Sequence, residues 1–118
     1  MPDEFISLAT KEINEEISGI EIILNSCKND EDVNQNSNNL ERHTHKIRGL
    51  APMMGKEDLG GLSALLDTVL KEIIDGKQID GIFEILDDSV NHMKNSMSES
   101  ECDLNPVTNK IKQILSNL

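Results

Sequence analysis

Two histidines, His43 and His45, stand two positions apart in a segment whose apolar residues recur at helical spacing. Each residue of an α-helix advances about 100°, so His43 lies about 40° from Ile47 at the centre of the apolar face, and His45 about 160° from it. We therefore predict that His43 lies at the edge of the core with a hydrogen-bond partner and that His45 is exposed to water. Because the two side chains diverge, they are not predicted to bind one metal ion.

An exposed neutral imidazole can act as a nucleophile near neutral pH, because an ordinary histidine has a pKa of about 6.5. One ring nitrogen would attack phosphorus while the other keeps its proton, and a carboxylate bonded to that N–H would fix the tautomer. Phosphoryl transfer otherwise depends on in-line positioning and on neutralising negative charge. Exposure alone is ordinary for histidine, so the residues around His45 decide whether this chemistry is indicated.

The sequence around His45 favours an anion. Gly49 lies one turn later on nearly the same face, where a glycine costs about 1 kcal/mol relative to alanine and leaves space beside the imidazole. Four cations and no acidic residue lie between positions 42 and 56: Arg42, Lys46, Arg48 and Lys56. We predict a locally positive surface that suits a doubly charged phosphoryl group.

Five amphipathic helices are predicted to position these residues. Apolar residues recur at spacings of three and four in segments at about 3–27, 37–54, 56–75, 80–97 and from 105 to the end. Gly55 and Gly76 are stop signals for the second and third helices, whereas Asn105 and Pro106 are the predicted N-cap and first residue of the fifth. The pattern predicts an all-α fold, an up-down antiparallel four-helix bundle with an additional C-terminal fifth helix.

Two polar breaks interrupt this pattern. Six of the fifteen residues in the segment 25–39 are asparagine, which favours turns over helix interiors, so a mobile loop is predicted at about 28–38. The segment 98–104 is predicted to link the fourth and fifth helices. No repeat or change of composition divides the chain, so residues 1–118 are predicted to form a single domain.

Composition excludes several classes of function. The formal net charge is −11, and only two residues, both phenylalanine, are aromatic, which argues against nucleic-acid binding and against an anionic membrane surface. No glycine-rich phosphate-binding loop and no zinc-site spacing occur. Cys27 and Cys102 form no CxxC motif, and the sequence is compatible with two free thiols or with one disulfide between them. An acidic N-terminus and the lack of a long apolar run predict a cytoplasmic protein.

The segment His45-Lys46-Ile47-Arg48-Gly49-Leu50-Ala51, followed by Gly55, resembles the phosphoacceptor motif of histidine-containing phosphotransfer (HPt) domains. Within that family the chain is similar to the P1 domain of CheA-type chemotaxis histidine kinases. The stretch Glu57-Asp58-Leu59-Gly60-Gly61-Leu62 and the opening Asp3-Glu4-Phe5 also resemble that domain. The resemblance covers nearly the whole chain, including the fifth helix.

The resemblance implies a role for each matching residue. His45 would be the phosphoacceptor, Arg48 the cation that supports the phosphoryl group, and Gly49 the residue that leaves clearance. Asp67 stands where the family usually has a glutamate that bonds the acceptor imidazole. Lys46 and Lys56, from the cationic segment, would give further support. His92 is predicted to be a structural or surface residue.

Three departures from the family pattern affect the tuning of reactivity more than the identity of the acceptor. Asp67 is one methylene shorter than glutamate, which predicts a looser or a water-mediated contact with the imidazole. Ala64 stands where CheA-type domains often carry a second histidine. Pro52 removes a backbone donor and is predicted to kink the helix after His45.

The predicted function is that of a histidine phosphocarrier in two-component or chemotaxis signalling. An ATP-dependent kinase domain would phosphorylate His45, and the receiver domain of a response regulator would take the phosphoryl group onto an aspartate. ATP and Mg²⁺ are implied on those partners, and no cofactor or metal on this chain, which is expected to be a monomer in isolation. A free-standing carrier and the phosphoacceptor domain of a longer kinase both remain open. The alternative is a degenerate HPt fold that only docks partner proteins.

Overall fold

The chain folds into six α-helices in a computed structural model that describes residues 2–99 and 102–118. The helices are α1 (Asp3–Asn25), α2 (Asp30–Gln35), α3 (Ser37–Leu50), α4 (Glu57–Ile74), α5 (Ile82–Ser98) and α6 (Asn105–Ser116). The described residues contain no strand, so the prediction of an all-α fold is confirmed. None of the described helices has the length and apolarity needed to cross a lipid bilayer.

The core is aliphatic, and α3 lies between two neighbouring helices. Helix α3 packs against both α1 and α4, α1 also contacts α5, and α6 lies against α4 and α5. The largest fully buried side chains include Ile13, Ile20, Leu40, Ile47, Leu62, Leu66, Leu70, Leu86, Met93 and Ile111. Burying one such side chain contributes about 1.5–3 kcal/mol relative to leaving it exposed. The buried stripe of α3 therefore fixes which of its residues face water.

The asparagine-rich segment contains the short helix α2, so the prediction of a loop there is wrong. Asn29 caps α2 through its side chain, and Val33 is fully buried. The carboxylate of Asp30 accepts hydrogen bonds of 2.9 Å from the backbone N–H groups of Gly81 and Phe83, at the start of α5. Asn29 and Asp30 thus satisfy backbone N–H groups at the starts of α2 and α5. Asparagine and aspartate are common both at such helix starts and in loops, which is why the sequence favoured a loop.

Helix α3 ends earlier than the predicted helix over 37–54. Pro52 has no N–H to donate to the preceding turn, so the α-helix stops at Leu50 instead of kinking, and a 3₁₀ turn covers Pro52–Met54. Gly55 then ends that turn at φ +84°, a left-handed conformation that glycine adopts without steric strain, as its predicted role as a stop signal requires.

The other boundaries differ by a few residues. Helix α1 ends at Asn25, α5 begins at Ile82, and α6 begins at Asn105, which is therefore its first residue and not its cap. The Asp103 carboxylate accepts from the backbone N–H of Asn105. Of the predicted 98–104 linker, positions 100 and 101 lie outside the described residues. Cys27 and Cys102 are both free thiols.

Candidate functional site

The two histidines of α3 occupy the environments that the helical wheel predicts. The His45 side chain is 63% exposed, whereas that of His43 is 27% exposed and lies against α1. Thr44 and Ile47 face the core between them and are fully buried. Burial of that stripe turns His45 toward solvent, so its imidazole is open to another protein.

His43 packs α3 onto α1. Its Nδ1 lies 2.8 Å from Glu16 Oε1 in a hydrogen bond. A Cβ atom at Gly19 of α1 would collide with the same imidazole, so the ring can occupy its present position only because residue 19 is glycine. His43 is thus used in packing, and His45 is the more exposed of the two histidines.

Two carboxylates face the same nitrogen of His45. Its Nδ1 lies 3.7 Å from Glu41 Oε2, one turn earlier on α3, and 3.8 Å from Asp67 Oδ2 on α4. Both distances exceed hydrogen-bond length, in line with the looser contact predicted for Asp67. Because the two ring nitrogens lie on different sides of the ring, this orientation leaves Nε2 on the side away from the acids.

Asp67 is a buried acid that holds two cations. Its side chain is 1% exposed, and its Oδ2 accepts from Arg48 Nη1 at 3.1 Å and pairs with Lys71 Nζ at 3.0 Å. The Thr44 hydroxyl lies 3.5 Å from Oδ1 as a further donor. Asp67 therefore joins α3 to α4 and sets the position of Arg48 beside the imidazole.

Glu41 and Asp67 shift each other's pKa in opposite directions. Burial would raise the pKa of Asp67, but hydrogen bonds from Glu41, Lys71 and Arg48 outweigh it and hold that pKa below its ordinary value of 3.8. The hydrogen bond with Asp67 raises the pKa of Glu41 above 4.5, and burial and the charge of Asp67 raise it further. On acidification, Glu41 therefore takes up a proton before Asp67 does.

The cations are distributed differently from the prediction. Lys46 Nζ lies 3.5 Å from Glu16 Oε2, and Lys56 donates to the Ser96 carbonyl at 2.8 Å in a separate cleft beside α5. Lys56 therefore does not join the residues around His45. The surface predicted to be locally positive is mixed in charge, because α1 and α4 bring acids against the cations of α3.

An open groove between α1 and α3 leads to His45. It has a volume of about 690 Å³, and its lining includes His45, Gly49, Leu50, Met53 and, from α1, Glu12, Glu15 and Glu16. A Cβ atom built on Gly49 would meet no described atom within 4 Å, so the space predicted beside the imidazole is present. The His45 imidazole is therefore accessible from solvent through this groove.

Sequence reasoning missed Glu41 and Lys71. Each has a signal in the sequence, since Glu41 precedes His45 by four residues and Lys71 follows Asp67 by four, the spacing of neighbours on a helix face. Glu41 stands immediately before the segment of cations that begins at Arg42.

Glu41, His45 and Asp67 each offer one possible metal ligand, and these atoms lie within 4.8 Å of one another. Arg48 and Lys71 already lie at Asp67 Oδ2, the oxygen on the side of the imidazole. Their positive charges would oppose the binding of a metal ion at that oxygen.

Comparison of the chain with models of known protein families, with curated proteins and with solved structures found no match.

Proposed function

We propose that this chain is a histidine phosphocarrier in which His45 accepts a phosphoryl group and passes it on. The observation that carries the proposal is the orientation of His45, with Nδ1 toward two carboxylates and the rest of the ring exposed at an open groove. That arrangement supplies a nucleophilic nitrogen, a group to hold the opposite proton and room for a second protein.

The reaction proceeds at Nε2. Its lone pair forms a bond to the γ-phosphorus of ATP while the bond to the bridging oxygen breaks, and ADP leaves with the electron pair. Nδ1 keeps its proton, and the neighbouring carboxylates stabilise the positive charge on the ring. An aspartate oxygen of a receiver domain then attacks the phosphorus, the P–N bond breaks, and neutral imidazole is restored.

The proposal assigns the remaining chemistry to partners. The ATP-binding domain of a histidine kinase supplies ATP and its Mg²⁺, and a response-regulator receiver supplies the accepting aspartate and a second Mg²⁺. No cofactor, nucleic acid or membrane takes part, and the carrier acts in the cytoplasm as a monomeric domain. Further, we propose that α1, α3, α4 and α5 form an up-down antiparallel four-helix bundle with α6 as an addition. The packing of α3 on α1 and α4, and of α1 on α5, supports that arrangement.

A two-step transfer assay tests the proposal. The chain is incubated with ATP, Mg²⁺ and the ATP-binding domain of a CheA-type kinase, and then with a receiver domain. An acid-labile adduct of about 80 Da, read by intact mass, is expected to form and then to disappear. A kinase that labels its own acceptor domain but never this chain would contradict the proposal.

Substitution Arg48→Ala is expected to slow phosphorylation of His45 by about tenfold or more, because one donor to the charged phosphoryl group is lost. Arg48 is about half exposed, so the free energy of unfolding should change by no more than about 1 kcal/mol. The matched control is Arg42→Ala, which removes an exposed cation from the same helix. Equal transfer rates in the two variants would remove Arg48 from the site.

Substitution Gly49→Ala is expected to raise the free energy of unfolding by about 1 kcal/mol, because the helix gains a better former and the new Cβ meets open space. The same methyl group narrows the approach to His45, so transfer from a kinase domain should slow. Gly61→Ala is the control, since Gly61 is also helical, exposed and unobstructed. Thermal melts should show a similar gain in both variants, whereas initial transfer rates should fall only in Gly49→Ala. A Gly49→Ala rate as high as the control's would show that clearance is not needed.

A helical interaction module without covalent chemistry is the second candidate. The observation that favours it is that His45 Nδ1 is beyond hydrogen-bond distance of both carboxylates. Such contacts often tighten only in the reactive complex, which is why we place the carrier first. Binding of a receiver domain without any label in the transfer assay would establish the module instead.

A further inference from the structure

Two acids lie almost equally far from His45 Nδ1, but their surroundings differ. The Asp67 oxygen that faces the ring is the same Oδ2 that contacts Arg48 at 3.1 Å and Lys71 at 3.0 Å. A carboxylate oxygen has two lone pairs, and two cationic groups already lie at this one. Asp67 is also buried and tied to α4, so it has little freedom to move toward the imidazole.

Glu41 has fewer competing partners and a better position. It belongs to α3 itself, one turn before His45, where side chains four residues apart lie on the same face. Its side chain is 18% exposed and is one methylene longer than that of Asp67, so it has more rotational freedom to approach Nδ1. The carboxyl groups of Glu41 and Asp67 lie close together, with one oxygen of each and a ring nitrogen of His45 within 4.8 Å of one another.

We propose that Glu41 is the positioning residue of the phosphoacceptor, accepting the His45 Nδ1 proton so that the Nε2 lone pair faces the phosphoryl donor. Asp67 then has a different role: it anchors Arg48 and Lys71 and holds Glu41 in place. This inference rests on the proposed function, and it reassigns the contact that the family resemblance would give to Asp67.

The pair of acids also distinguishes this role from a purely structural one. Because Asp67 raises the pKa of Glu41, the folded chain binds that proton more tightly than the unfolded chain does. The associated stability is present below pH 4.5 and is lost as the pH rises through the raised pKa, so at neutral pH the ionised Glu41 opposes folding. A residue kept only for the fold would not destabilise it.

Substitution Glu41→Gln tests the proposal, with Glu15→Gln as the control because Glu15 lines the same groove. Phosphoramidate is the probe: Nε2 forms the bond to phosphorus, the P–N bond of the donor breaks, and ammonia leaves after taking a proton from water. Intact mass follows the rate without any kinase. Long-range ¹H–¹⁵N spectra at neutral pH report which nitrogen of His45 carries the proton.

We expect Glu41→Gln to take the label about tenfold more slowly than the wild type. This slowing is smaller than that typical for complete removal of a proton acceptor, because the amide oxygen still accepts a hydrogen bond weakly. The His45 proton should shift from Nδ1 toward Nε2, and the melting temperature should rise by a few degrees. Glu15→Gln should match the wild type in rate and tautomer.

An unchanged tautomer in Glu41→Gln, or a wild-type labelling rate, would overturn the assignment of Glu41. If the wild-type chain takes no label at all but the tautomer still shifts in Glu41→Gln, the phosphocarrier proposal fails and the positioning of His45 by Glu41 stands. Labelling of the wild-type chain therefore tests the phosphocarrier proposal, and the His45 tautomer in Glu41→Gln tests the role of Glu41.

Discussion

Substitution His45→Gln is expected to abolish phosphoryl acceptance completely. The adduct of about 80 Da formed with a kinase domain and ATP should be missing from the variant, because glutamine offers an amide in place of a nucleophilic ring nitrogen. The His45 side chain is 63% exposed, so its replacement should leave the thermal melting curve close to that of the wild type. Intact mass under non-acidic conditions measures the first effect, and circular dichroism the second.

Two other histidines make this a stringent test. His43→Gln removes an imidazole from the same helix, and His92→Gln removes one from α5, where its Nδ1 contacts the Asp88 carbonyl at 2.8 Å. Both variants should still accept the phosphoryl group, although His43→Gln is expected to lose some stability with its contact to Glu16. Label that persists in His45→Gln and disappears in either of the others would place the acceptor elsewhere.

The positions of His43 and His45 could be predicted because they depend on the period of one helix alone. Once Ile47 is taken as the centre of the buried face, the angles of both imidazoles follow. The same local reasoning could have found Glu41, one turn before His45. The contact of His43 with Glu16 could not be predicted in this way, because it joins two different helices. It depends on how α1 packs against α3, where the His43 ring lies against Gly19.

Helix α2 shows a different limit. Asn29 and the three acids that follow it are the start signals of a helix, but they are equally common in loops, and the many asparagines favoured the loop. The deciding contact is the pairing of Asp30 with the backbone N–H of Gly81, 51 positions away. A contact between residues so far apart cannot be predicted from local sequence. The short helix α2 and its contact with the start of α5 could therefore be identified only from the folded structure.

The mixed charge around His45 has the same origin. Along the chain, the segment from Arg42 to Lys56 contains four Lys and Arg residues and no acidic residue. This composition predicted a locally positive surface. In the fold, α1 sets Glu16 against Lys46, and α4 sets Asp67 against Arg48. A net charge of −11 makes such pairing the expected outcome, because few cations are available to many acids.

Substitution Asp67→Asn is expected to have the largest effect on stability of any change at the site, lowering the free energy of unfolding by about 1–3 kcal/mol at neutral pH. The amide keeps the shape of the side chain but loses the charge that holds Arg48 and Lys71, and both cations remain half exposed, which limits the loss. Transfer to His45 should slow as well, because Arg48 is no longer fixed beside the ring. Urea unfolding and transfer rates measure the two effects.

The pH dependence gives this prediction a sharper form. Because the folded pKa of Asp67 lies below 3.8, its contribution to stability is fully present above that pH and is lost as the pH falls through the folded value. The difference between wild type and Asp67→Asn should therefore be constant near neutral pH and should shrink in acid. Glu41→Gln should change stability in the opposite direction at neutral pH, although the two acids touch. If both variants destabilised the chain equally, the charge of Glu41 would not oppose folding as the raised pKa of Glu41 implies.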